Sequence, residues 1–115
     1  MIGKAEEHEI ILAEVPFQNI KGKKWRPVYI LQFDDEQMYV YKITTKYHNK
    51  SDFIKSKYFE IIDWLKAGLR EPSWIDTINI IPINSGNAKI RIIGRLTVED
   101  RMRLIAFLSS GAGEL

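Results

Sequence analysis

Cysteine is missing from this chain altogether. That removes disulfides, thiolate metal centres and cysteine nucleophiles together, and it suits a reducing compartment such as the cytoplasm. Long apolar runs are missing too. A bilayer-spanning helix needs about 20 consecutive apolar residues, and the opening stretch MIGKAEEHEI is acidic where a secretory signal would be basic and then apolar. The sequence therefore reads as a soluble cytoplasmic protein without membrane association. Repeats, low-complexity tracts and linkers do not occur either, so residues 1–115 read as one domain, with 109–115 as a flexible tail. A large charge of one sign is also absent, since the net charge of +2 is too small to mark a nucleic-acid binder by itself.

What is present is enough apolar material for one core, with 45% hydrophobic and 11% aromatic residues. EIILAEVPF reads as a first strand ended by Pro16, which has no N–H to give to a ladder. RPVYILQF and QMYVYKITT are rich in β-branched and aromatic residues and flank DDEQ, the pattern of a hairpin with a short polar turn. KYHNKSDF reads as a long polar loop. FEIIDWLKAG, with Ile61, Ile62 and Leu65 at helical spacing and Gly68 as a stop, predicts a short helix. Ser73 to Pro82 and KIRIIGR read as strands on either side of a turn at NSGNA. Thr97 followed by Asp100 at the capping-box spacing starts a last helix, whose expected buried stripe is Val98, Met102, Ile105 and Leu108. Trp64 and Trp74 are expected in the core, and His8 on the surface beside Glu7 and Glu9. The fold class is thus mainly β: a small curved sheet or barrel of five or more strands with a C-terminal helix.

The middle of the chain is basic. Nine of the 17 Lys and Arg fall between residues 21 and 57 (Lys21, Lys23, Lys24, Arg26, Lys42, Lys46, Lys50, Lys55 and Lys57), against Asp34, Asp35, Glu36 and Asp52. A cluster of this kind is either a solvated face or a surface that releases counterions from a phosphate backbone. Folding the hairpin about Asp35 and Glu36 makes paired numbers sum to 71, so that Phe33 faces Met38, Leu31 faces Val40 and Arg26 faces Thr45. A single bulge would instead set Arg26 opposite Thr44, and Lys42 shares the face of Thr44 because strand side chains alternate. An arginine fork beside a hydroxyl can hold a phosphodiester. It can equally be an edge arginine next to two ordinary strand threonines.

KKWRPVYIL, YKITTK, DWLKAGLREPSWID and IGRLTVED occur in that order over about 75 residues, and in this they resemble the PemK/MazF-type toxins. The resemblance implies an SH3-like barrel with a C-terminal helix and a homodimer whose groove takes single-stranded mRNA. It also implies a cognate antitoxin and metal-independent endoribonuclease chemistry with no cofactor. In that chemistry the ribose 2′-hydroxyl attacks its own phosphate, leaving a 2′,3′-cyclic phosphate and a 5′-hydroxyl end. Arg26 and Thr44 fall where the family carries its catalytic pair, with Thr45 as the neighbouring alternative. Lys21, Lys23, Lys24, Trp25, Lys42, Lys46, Tyr47 and His48 would surround the RNA; Tyr47 and Phe53, interleaved with lysines, read either as a stacking and backbone-binding surface or as aromatics that anchor the loop on the core, and Trp25 has the same two readings.

The chain departs from the family pattern in the loop before the arginine. Many members carry a glutamate there, whereas NIKGKKW has only lysines for charge. A proton acceptor then has to come from elsewhere or from water; His48 has the right titration range for it, or is an ordinary exposed loop histidine. Two other functions share the same sequence features: a gyrase-poison-like toxin working through its C-terminal helix, and a barrel that binds nucleic acid or protein without catalysis.

Overall fold

Among the described residues, 5–16, 23–86 and 89–111, the computed structural model has six strands and two helices. In chain order these are β1 (Glu9–Pro16), β2 (Lys23–Asp34), β3 (Gln37–Thr44), α1 (Asp52–Ser56), β4 (Tyr58–Ile61), β5 (Ser73–Asn84), β6 (Ile90–Arg95) and α2 (Val98–Ser109). The strands form one antiparallel sheet in the order β4-β5-β3-β2-β1-β6. The architecture is therefore the mainly β, curved-sheet class with a C-terminal helix that the strand patterns predict.

Both faces of the sheet are buried at its centre. In β3, Met38 and Val40 enter one apolar cluster with Ile11, Ala13, Val15, Val28 and Ile30. The alternate residues Tyr41 and Ile43 enter a second cluster with Ile10, Tyr29, Phe59, Ile75 and Leu104, as the two-residue period of a strand demands. α2 covers the second cluster, through Leu104, Phe107 and Leu108. The first is shielded by the sheet itself, because Ile81 and Ile83 of β5 and Ile90 of β6 pack against it. That curl needs breaks in the ladders, and register shifts occur in the β1–β6, β2–β3 and β3–β5 pairs.

The β2–β3 hairpin turns at Asp35 and Glu36 and starts in the simple register, with Phe33 opposite Met38. A shift between Ile30 and Gln32 then pairs Ile30, not Leu31, with Val40, and Tyr29 with Tyr41. Beyond the bulge the paired numbers sum to 70, the alternative that brings Arg26 level with Thr44.

Three helical expectations are corrected. FEIIDWLKAG is not a helix: its first part is β4, paired to β5 through Phe59↔Ile75 and Ile61↔Ser73, and residues 62–68 are turns. Phe59 and Ile61 point inward with a strand period, while Ile62 and Leu65 are exposed, so the apparent helical stripe has no core to face. Gly68 does adopt the left-handed conformation of a stop, with φ 94°. Inside the polar loop, Ser51 accepts from the N–H of Ile54 at 3.3 Å and caps α1, which buries none of its residues.

The third correction concerns α2. Thr97 caps it by accepting from the N–H of Asp100 at 3.2 Å, but Val98, Met102 and Ile105 are 61%, 66% and 55% exposed. Asp100 sets the helix rotation. Its carboxylate is buried, accepts from the backbone N–H groups of Ile62 (3.4 Å) and Asp63 (2.8 Å), and pairs with Arg103 at 2.6 Å. The inward stripe is therefore Asp100, Leu104, Phe107 and Leu108. Asp100→Ala orphans two backbone donors and removes the closer of the two acceptors of Arg103, and should lower stability by about 3 kcal/mol in urea unfolding. A loss below about 1 kcal/mol would show that water replaces the carboxylate there.

His8 is not simply a surface residue. Its N–H donates to the carbonyl of Ile30 at 2.9 Å, its carbonyl accepts from the N–H of Leu96 at 3.2 Å, and Nδ1 is hydrogen-bonded to the Tyr29 hydroxyl. Burial, reinforced by the positive charge of Arg101, holds its imidazole below the ordinary value of 6.5. Burial also raises the Tyr29 phenol far above its ordinary range, so both groups are neutral and the phenol O–H can donate to Nδ1. A histidine with a depressed folded pKa makes the unfolded chain bind more protons. Its contribution is thus intact above about pH 6.5 and is lost as pH falls from there toward the folded pKa. The slope of stability against pH between about 7 and 5.5 should be shallower in His8→Asn, since asparagine tolerates the φ of 71° found at this position. Equal slopes in both proteins would refute the assignment.

Candidate nucleic-acid interface

The start of β2 and the end of β3 meet at one margin of the sheet. Their pairing ends at Val28↔Lys42; the same register continued by two residues on each strand sets Arg26 level with Thr44. Strand alternation puts Arg26, Lys42 and Thr44 on the face of Val28. Thr44 is then paired on its other side with Trp74 of β5.

The Thr44 hydroxyl is oriented by its own loop. Its oxygen accepts from the N–H of Lys46 at 3.0 Å, a side-chain turn of the kind threonine favours. One lone pair is thereby used, and the hydroxyl proton remains available to an incoming acceptor. Tyr47, one residue on, lies flat on Trp74, with ring centroids 4.6 Å apart and planes 5° from parallel. His48 meets Trp74 and Tyr47 edge-on at 5.7 and 5.4 Å, and Lys55 holds its ammonium 5.2 Å from the Tyr47 ring centre. The loop after Thr44 is thus fastened by aromatic contacts to the residue paired with Thr44.

Other expected residues are distributed differently. Lys42 faces Asp76, with its ammonium 4.0 Å from a carboxylate oxygen, so its charge is already partly balanced. Trp25 is 46% exposed but follows the parity of Pro27 and Tyr29, on the face of β2 opposite to Arg26. Thr45 lines a second cavity with Leu12, Pro27, Ile43, Arg70 and Arg91, apart from the Arg26 and Thr44 face. Lys46 and His48 are exposed, and Lys24 lies in β2 beside the site. Lys21 lies outside the described residues, as does the side chain of Lys23. Trp74 is buried as expected, and Trp64 packs partly buried against the core.

An open cavity of about 690 Å³ adjoins this margin, with Tyr47, Tyr58, Glu60, Trp74, Arg103 and Phe107 in its walls. Burial, with the nearby Asp76 carboxylate, raises the Tyr58 phenol above its ordinary value, so it remains a hydroxyl donor. Local sequence spacing gave no sign of Asp76, Trp74, Glu60 or Arg103, because each reaches the site through a strand pairing or a helix contact from a distant part of the chain. Among the described residues, no group of three or more His, Asp or Glu side chains is arranged to hold a metal ion. No helix there is long and apolar enough to cross a membrane.

No protein-family model matches the sequence, and no curated protein matches it. Similarity appears among solved structures. The Mycobacterium tuberculosis toxin MazF-mt6 superimposes with a TM-score of 0.64 at 21% identity, over 89% of this chain and 93% of that one. A crystal structure of an Mtb toxin gives a TM-score of 0.58 at 22% identity, over 74% of this chain and 90% of the other. Nearly the whole of each toxin chain is matched, and this chain has the fold of the MazF toxins.

Proposed function

We propose that this protein is the toxin of a type II toxin–antitoxin system, a cytoplasmic homodimer that cuts single-stranded mRNA without a metal and is neutralised by a cognate antitoxin. The observation that carries the reading is the register of the β2–β3 hairpin beyond its bulge, which supports Arg26 and Thr44 acting on one phosphate. Within a fold shared with MazF toxins, that pair has the composition such chemistry needs.

The reaction is a transesterification. The ribose 2′-oxygen loses its proton to a base and bonds to the adjacent phosphorus, and the phosphorus–O5′ bond breaks. O5′ takes up a proton, and the products are a 2′,3′-cyclic phosphate and a 5′-hydroxyl end. Charge accumulates on the non-bridging oxygens of the phosphorane. Arg26 is permanently cationic and presents a planar fork of donors, so its role is to stabilise that charge. Thr44, with its oxygen already accepting from the loop, donates its hydroxyl proton to one phosphate oxygen. The lysines around Arg26 hold the backbone and give binding a steep salt dependence.

Incubating the purified protein with a defined RNA in a chelator, and mapping 5′-hydroxyl ends, tests the reading. Cleavage at discrete sites that Arg26→Ala abolishes is the expected result. RNA left intact over many sequences would sink it, and inhibition of gyrase by the same protein would favour a protein-directed toxin instead.

A further inference from the structure

Three residues lie in one row across the sheet next to the reaction margin. Thr44 is paired with Trp74, and Trp74 with Glu60, so their side chains leave the same face of β3, β5 and β4. Adjacent strands are about 4.8 Å apart, which puts Glu60 about 10 Å from Thr44. That is the span between a phosphate and the hydrogen-bonding edge of a nearby base. The cavity described above opens at this end of the row.

We infer that this cavity is a base subsite, in which Glu60 and Arg103 read a guanine of the bound RNA beside the phosphate held at Arg26 and Thr44; the inference rests on the RNA reading proposed above. The rings of Tyr47, Tyr58 and Phe107 give the cavity flat apolar walls, against which an unstacked base can lie. The carboxylate of Glu60 is exposed and makes no ion pair or hydrogen bond among the described residues. Its two oxygens match two adjacent N–H donors, and guanine alone of the four bases has them, at N1 and N2.

Arg103 is fixed before any ligand arrives. It donates through Nη1 to the Asp100 carboxylate at 2.6 Å and to the backbone carbonyl of Glu60 at 3.1 Å, and its guanidinium carbon lies 4.8 Å from the Phe59 ring centre. Both hydrogen bonds use Nη1, which leaves Nη2 and Nε for an acceptor such as guanine O6. A preordered guanidinium and an unpaired carboxylate thus both border one base-sized cavity.

Five 2′-O-methyl pentanucleotides test this, with uridine in all positions but the central one, which is guanine, inosine, adenine, cytosine or uracil. Blocking the 2′-oxygen prevents cleavage, so equilibrium binding can be read by anisotropy for the wild type and for Glu60→Gln. The expected result is a preference of about tenfold or more for guanine, reduced by inosine, which lacks the N2 amino group. Glu60→Gln should erase that preference while leaving the other affinities unchanged. Equal binding of all five by the wild type, or a guanine preference that survives Glu60→Gln, overturns the inference. The parent reading fails separately: guanine-selective binding with unmodified RNA left uncut would refute nuclease activity and keep the subsite, whereas cleavage without guanine selectivity would do the reverse.

Discussion

Arg26→Ala is expected to lower the rate of RNA cleavage by about 10² to 10³ or more, with a much smaller loss of RNA affinity. The asymmetry follows from where the charge develops. A phosphodiester already carries one negative charge that Lys24 and Lys46 can help to hold, but the pentacoordinate phosphorus adds charge that needs donors in a fixed position. Removing a group that acts mainly in the transition state lowers kcat and kcat/KM together. Arg26→Lys is the sharper companion. It retains the charge but loses the planar fork, so binding should stay near wild type and turnover should recover only in part. Thr44→Val, close in shape but without a hydroxyl, should cost less than Arg26→Ala, because one neutral donor is removed and the loop loses the contact with Lys46. Single-turnover cleavage of a fixed oligonucleotide measures all three. Equal rates for wild type and Arg26→Ala would remove the arginine from the chemistry and with it the reason for pairing it to Thr44.

Much of this site is legible in local sequence because a hairpin is a local object. Once DDEQ is read as a turn, the partners of each β2 residue follow by counting, and only the bulge at Leu31 decides between Thr44 and Thr45. A two-residue period also marked β4, in Phe59 and Ile61, but the neighbouring Ile62 and Leu65 completed a helical spacing that looked stronger. What no short window contains is the company of the site. Asp76 reaches Lys42, and Trp74 reaches Thr44, across thirty or more positions of chain, and Glu60 joins the row only because β4 pairs with β5. The rotation of α2 escaped for a related reason. Hydrophobic spacing favours Val98, Met102 and Ile105 as the inward stripe, yet the helix turns on Asp100, a carboxylate that ranks low on any burial scale and is buried because two backbone N–H groups and Arg103 are waiting for it.

A single methyl group at Gly94 should cost the fold a large part of its stability. This residue lies in β6 opposite Ile10, beside the β1–β6 register shift, and a Cβ built on it would overlap the carbonyl group of Ala67. The approach is mutual, since a Cβ on Gly68 would overlap the carbonyl of Ile93. Two glycines from distant parts of the chain thus let the turn at 62–68 lie directly on β6, backbone against backbone. That contact packs Ala67 and Leu69 into the same apolar cluster as Leu96 and Leu104. Neither clash meets a flexible side chain that could swing aside. Gly94→Ala must therefore lift the turn from the strand, opening that cluster and pulling on the N–H groups that Asp100 holds. A loss above about 4 kcal/mol is expected, a large share of the 5 to 15 kcal/mol typical of a small domain. Gly68→Ala should be at least as severe, because an L residue at φ 94° adds backbone strain of about 1 to 2 kcal/mol. Gly86→Ala is the contrast: its new methyl would meet only the side-chain oxygen of Asn84, at 3.3 Å in an exposed turn, and should change stability by less than about 1 kcal/mol. Urea unfolding of the three variants orders them, and a Gly94→Ala protein as stable as Gly86→Ala would mean that the turn can leave β6 without cost.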